Sequence, residues 1–102
     1  MKILTPGHLY IAPNFENPQN GQTIQFIQKE PSGPNGEVRT VNDGTTNEAL
    51  IEILVDRLNA MNSKFPCREN SIAVTHLETA LLWLKERTAK RIQRGVEGKH
   101  LA

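Results

Sequence analysis

The sequence predicts an α+β fold in which a small N-terminal antiparallel β-sheet packs on a C-terminal antiparallel two-helix hairpin. Three features predict it. Residues 1–44 hold short apolar runs separated by turn-forming clusters, residues 45–102 carry two successive helical stripes, and only a short loop divides those stripes. The 1–44 and 45–102 segments are expected to form one compact folding unit, since a chain of 102 residues makes a single domain.

In the first segment, His8–Ala12 reads as one strand and Thr23–Gln28 as a second, with Ile24 and Phe26 alternating with Gln25. Ile27 breaks that alternation and predicts an early end to the strand. Pro13–Gln22 is a polar, Asn-rich loop, long enough to be functional. Pro31-Ser32-Gly33-Pro34-Asn35-Gly36 reverses the chain, because proline presets its φ and Asn-Gly tolerates positive φ. Glu37–Val41 then returns as a third strand.

Asn42-Asp43-Gly44 breaks the strand, and Thr45 with Glu48 has the spacing of a capping box, so a helix is expected from there. Leu50, Ile51, Leu54, Leu58 and Met61 recur at three- and four-residue intervals and share a face until Phe65-Pro66 stops the helix. A second helix is expected to open at Asn70 or Ser71. It runs through Ala73, Leu77, Ala80, Leu81 and Leu84 and stops at Gly95.

Composition narrows the function classes. No apolar run is long enough to span a bilayer and Met1–Ala12 lacks a signal-peptide pattern, so no membrane association is expected and the cytosol is the expected compartment. Cys67 is the single cysteine, which fits a reducing compartment and excludes a thiolate metal cage within one chain. Cationic and anionic residues number three and four over 1–44, three and five over 45–84, and six and two over 85–102. The positive charge therefore sits at one end, which suits one anionic ligand better than a nucleic-acid surface.

The second helix's stripe continues into Arg87, Thr88 and Arg91, with Arg94 next. Cations at a helix C-terminus have a structural explanation in the macrodipole. Arginine is also the side chain best matched to phosphate, and two of them four residues apart can grip a diphosphate. Cys67-Arg68-Glu69-Asn70 leads into a helix N-terminus, a place that favours anions, although Asn70 also reads as a simple cap. These two clusters lie at opposite ends of one helix, so a single site needs a second subunit, with the second helices paired antiparallel. Met61 and Phe65 offer either an apolar floor for a base or packing for the turn. Trp83, one residue off the stripe, is expected in the core or an interface rather than stacked on a ligand.

Enzyme readings are weak. His76-Leu77-Glu78 and Pro66-Cys67 stand in the wrong order for a zinc deaminase and lack its second cysteine. His8, His76 and His100 share no element, and Cys67 reads as a buried loop cysteine without an assignable base. No catalytic residue, metal or cofactor is expected.

Several blocks carry a family resemblance: Asp43-Gly44-Thr45-Thr46-Asn47-Glu48, Phe65-Pro66-Cys67-Arg68-Glu69-Asn70, Leu77-Glu78-Thr79-Ala80-Leu81-Leu82-Trp83-Leu84, Arg87-Thr88 with Arg91, and Arg94-Gly95-Val96-Glu97-Gly98. Together they resemble the phage Thoeris anti-defence proteins, which share a helical hairpin with the anti-CBASS cyclic-nucleotide sponges. The resemblance implies a sponge acting in the cytoplasm of the infected bacterial host, which sequesters a cyclic nucleotide immune signal without cleaving it. The implied ligand is glyco-cyclic ADP-ribose, a cyclic ADP-ribose isomer, held between subunits of a homodimer. It further implies assembly to a hexamer and separate pockets for a cyclic oligonucleotide. By motif position, Asn70, Arg87 and Arg91 correspond to the family's ligand residues. Arg68, Met61, Phe65, Thr88 and Arg94 lie around them, while Ala60 and Lys99 depart from the family pattern. The rival reading is a small regulatory protein that binds nucleic acid through its basic tail, with affinity falling steeply as salt rises.

Overall fold

A computed structural model describes residues 1–95. The Val96–Gly98 part of the last motif, Lys99 and His100 lie outside the described residues. Seven elements follow in order: β1 (Lys2–Thr5), β2 (Leu9–Pro13), β3 (Gly21–Gln25), β4 (Gln28–Pro31), β5 (Val38–Asn42), α1 (Asn47–Lys64) and α2 (Arg68–Gln93). The α+β class stands, with antiparallel strands preceding two helices. The chain divides into two compact units, with residues 1–46 in the first and residues 47–95 in the second.

The first unit contains two sheets where the sequence suggested one. β1, β2 and β3 form an antiparallel meander, while β4 and β5 form a separate hairpin. β1 was not anticipated. It joins β2 through Thr5-Pro6-Gly7-His8, closed by the His8 N–H donating to the Thr5 carbonyl at 2.9 Å. Gly7 has φ +78°, so Pro6 and Gly7 occupy the two central positions of a type II turn, which requires a glycine-like residue at the second.

The expected break at Ile27 is real, and its cause is tertiary. Beyond Gln25 the backbone leaves the meander: the Phe26 N–H donates to the His8 carbonyl at 2.7 Å and the Ile27 N–H to the Thr45 carbonyl at 2.9 Å. Thr45 returns its own N–H to the Gln25 carbonyl at 2.8 Å. The segment before α1 is thus sewn onto the β3–β4 corner, and a Cβ on Gly44 would collide with the backbone of Gln25 and Phe26. This corrects the capping-box reading, because Thr45 belongs to the bridge and the helix begins at Asn47. The Tyr10 and Phe26 rings meet edge to face at 5.8 Å. The 14–20 loop is pinned by the Asn14 N–H to the Asn20 carbonyl at 2.8 Å and by Gln22 Nε2 to Asn14 Oδ1 at 2.9 Å.

In the second unit, α1 ends where Pro66 cannot continue it. α2 opens two residues earlier than expected, at Arg68, and its cap is Cys67, whose Sγ accepts the Asn70 N–H at 3.4 Å. Gly95, at φ +74°, closes α2 as expected, its N–H reaching the Ile92 carbonyl at 3.0 Å. The covered side chains of α1 are Glu48, Ile51, Val55, Leu58 and Asn62, joined by Ala49 and Leu50 in the first turn. In α2 they are Asn70, Val74, Leu77, Leu81, Leu84, Thr88 and Arg91, with Ala73 beside them. Both series alternate steps of three and four, the period with which two helices keep a seam in register.

That seam is narrower than the apolar stripes. Leu54, Met61 and Ala80, expected inside, are exposed, while Val55 and Val74 occupy the seam. A single partner helix covers only the 3.5-residue repeat, and the remainder of each stripe stays open.

Candidate functional site

The described residues place the proposed ligand groups at the two ends of the hairpin. Met61, Phe65, Arg68 and Asn70 gather at the α1–α2 turn, and Arg87, Thr88, Arg91 and Arg94 lie at the far end of α2. Asn70 and Arg87 stand seventeen positions apart along the helix, ~26 Å at about 1.5 Å per residue. One chain does not bring them together.

The turn end is built from Asn62. This half-buried residue of the last turns of α1 accepts the Cys67 N–H on Oδ1 at 2.8 Å and donates from Nδ2 to Ser71 Oγ at 3.0 Å. Ser71 Oγ in turn donates to the Cys67 carbonyl at 3.4 Å. Phe65 and Pro66 are thereby spanned by one side chain, and Asn70 stands in the first turn of α2, half-buried on the seam. Cys67 is exposed, which corrects its expected burial; its sulfur serves as a helix cap. Arg68 is exposed at the first position of α2, where the positive end of the helix dipole disfavours a cation and favours an anion beside it. Phe65, 81 % exposed, projects from the same turn.

At the far end the arginines differ in kind. Arg91 is only 8 % exposed and, like Arg94, already has an interaction partner. A guanidinium so covered must be satisfied to be tolerated. Arg87 is exposed and makes no ion pair with any described residue, whereas Lys85 pairs with Glu52 at 3.5 Å and Lys90 with Glu86 at 3.8 Å. Thr88 is half-buried on the seam.

Helix geometry then decides which exposed groups share a flank. Residues one position before each seam residue point about 100° to one side, and those one position after point to the other. Glu52 and Lys85, both one after, meet in the ion pair, so the two "after" flanks coincide. The two "before" flanks must coincide as well. They hold Asn47, Leu50, Leu54, Arg57 and Met61 on α1 and Glu69, Ala73, His76, Ala80, Trp83, Arg87 and Lys90 on α2. Leu54, Met61 and Trp83 are all exposed, Trp83 at 67 %. The flank between Met61 at the turn and Arg87 at the other end thus carries the exposed apolar groups Leu54 and Trp83 and the small Ala80, with Arg57 and His76 among them. Trp83 is exposed and so does not fill the core, which removes that part of the expectation.

Sequence reading passed over Asn62. The signal was present as a polar residue on the seam, three residues after Asn59 and four after Leu58, immediately ahead of the turn, but it is visible only once the seam's register is known.

Residues 23–89, well over half of the chain, match the family described as Acb2/Tad1, hairpin domain. A relative from Bacillus phage SBSphiJ7, named Thoeris anti-defense 1, is 56 % identical over 59 residues, covering 57 % of this chain and 42 % of the relative. The chain thus spans less than half the length of that relative. The match takes in the end of the meander, the β4–β5 hairpin, all of α1 and most of α2, and this chain belongs to the Acb2/Tad1 hairpin-domain family.

Proposed function

We propose that this protein is a phage anti-defence sponge, which binds a cyclic nucleotide immune signal and holds it without cleavage in the cytoplasm of the infected bacterial host. The name of the relative, a Thoeris anti-defense protein, supports the anti-defence role. The ligand proposed is a cyclic ADP-ribose isomer, with a cyclic oligonucleotide as a further ligand whose capture would extend the effect to CBASS immunity.

One observation carries the reading: the two halves of the candidate site stand at opposite ends of α2, joined by an open flank that carries exposed apolar groups. A second copy laid antiparallel along that flank, with Ala80 facing Ala80, sets positions level when their numbers add to about 160. Position 70 then stands beside position 90 of the partner. Asn70, Arg68, Met61 and Phe65 of one protomer meet Arg87 and Arg91 of the other, and the site forms twice per dimer. The small Ala73 and Ala80 let the two helices approach. In this arrangement Arg87 pairs with the diphosphate, Arg91 and Arg94 supply the surrounding positive charge with Thr88 between them, and Asn70 bonds a ribose or base edge. Further assembly, as far as a hexamer, would use surfaces other than this flank.

Isothermal titration calorimetry with glyco-cyclic ADP-ribose tests the proposal. Wild type is expected to bind about one ligand per protomer, and Arg87→Ala to bind roughly 10–100-fold more weakly, the loss of one charge-assisted hydrogen-bonded pair. Ligand recovered intact after heat denaturation supports a sponge. No heat from the wild type rejects the ADP-ribose assignment, and a hydrolysed ligand rejects the non-enzymatic role.

A further inference from the structure

Asn70 stands in the first turn of α2, and the bonds around that turn hold it in place. α2 begins after only three residues outside either helix, Phe65, Pro66 and Cys67, and its first turn has an unusual cap. A cysteine sulfur is a weak acceptor, and at 3.4 Å the Asn70 N–H is held loosely by it. The Ser71 contacts to the Cys67 carbonyl are also long, 3.4 Å from both N and Oγ. Two short bonds tie α1 to the start of α2, and both involve one side chain, Asn62, at 2.8 Å to the Cys67 N–H and 3.0 Å to Ser71 Oγ.

From this we infer that Asn62 is a positioning residue for ligand capture, which sets the orientation of the α2 first turn and so of Asn70. The inference rests on the ligand reading proposed above. Its carboxamide uses both of its functions, accepting from the Cys67 N–H and donating to Ser71 Oγ, so an apolar side chain reproduces neither bond. The location on the seam matters too. Leu or Val there would add apolar contact between the helices, yet the position carries an amide whose bonds all go to the turn. Asn62 does not touch the ligand itself; it acts through Cys67 and Ser71, whose places flank Asn70.

The test compares wild type, Asn62→Ala, Asn62→Asp and Ser71→Ala, each at a temperature where circular dichroism shows it folded. Titration with glyco-cyclic ADP-ribose is accompanied by hydrogen exchange of the Cys67 amide in the ligand-free protein. Asn62→Ala is expected to bind about tenfold more weakly and to expose the Cys67 amide. Asn62→Asp, whose carboxylate accepts hydrogen bonds from both the Cys67 N–H and the Ser71 hydroxyl, is expected to restore both readouts in large part. Ser71→Ala, which keeps the Cys67 bond, is expected to lose only about two- to threefold. A purely structural role would lower the melting temperature while leaving affinity unchanged. Unchanged affinity in Asn62→Ala beside a binding wild type therefore overturns the positioning role alone. No binding by the wild type overturns the ligand reading, and the positioning role falls with it.

Discussion

Replacing Trp83 with alanine separates folding from assembly more cleanly than any other substitution in this chain. The side chain is 67 % exposed in the isolated chain, so with ~250 Å² for a whole Trp about 170 Å² is open to water. If the antiparallel partner covers half of that on each of two copies, burial at ~25 cal/mol per Å² contributes about 2 kcal/mol per protomer and about 4 per dimer. Alanine recovers little of this, so Trp83→Ala should raise the dimer dissociation constant roughly 100–1000-fold. Folding of the hairpin should change by under about 0.5 kcal/mol, because an exposed side chain away from caps and packed contacts costs little to remove. Sedimentation velocity across a concentration series reads the first quantity, and urea unfolding at a concentration where both proteins are monomeric reads the second. An unchanged dimer constant would refute the assignment of this flank to self-association. A large loss of monomer stability would show instead that Trp83 is packed within the chain.

Two further substitutions probe the scaffold. Val74→Ala empties the most covered apolar position of the seam, 7 % exposed, and is expected to lower unfolding free energy by about 1–2.5 kcal/mol in urea melts, with no change in the denaturant slope. Gly44→Ala forces a Cβ into the backbone of Gln25 and Phe26, where no flexible side chain can give way, and is expected to cost ~1–3 kcal/mol by thermal unfolding.

Element by element, what could be read in advance was what depends on local chemistry. Pro66 ends a helix and Gly95 closes one whatever surrounds them, because a missing N–H and a tolerated positive φ are properties of the residues themselves. The β5 return after Asn35-Gly36 follows the same logic, and Gly36 does adopt φ +79°. β1 escaped because Lys2-Ile3-Leu4-Thr5 is too short to show a period, and it is a strand by virtue of pairing with β2. The division into two sheets likewise depends on Thr45 reaching back about twenty residues in chain order to bond the Gln25 and Ile27 backbone, a long-range contact that no local pattern announces.

For the candidate site, the amino-acid order alone determined which chemistry is available: arginines gathered at one end, an asparagine beside a helix start at the other, and a family pattern linking them. Three-dimensional packing decided which of those groups is open. Arg87 and Arg91 are four residues apart and equivalent by helical spacing, yet one is exposed and the other covered. The reason is that Arg91 stands on the seam three residues after Thr88, whereas Arg87 stands one residue before Thr88 and points about 100° to its side. Which side of α2 is covered depends on the register of the α1–α2 contact, and that register exists only when both helices are folded against each other.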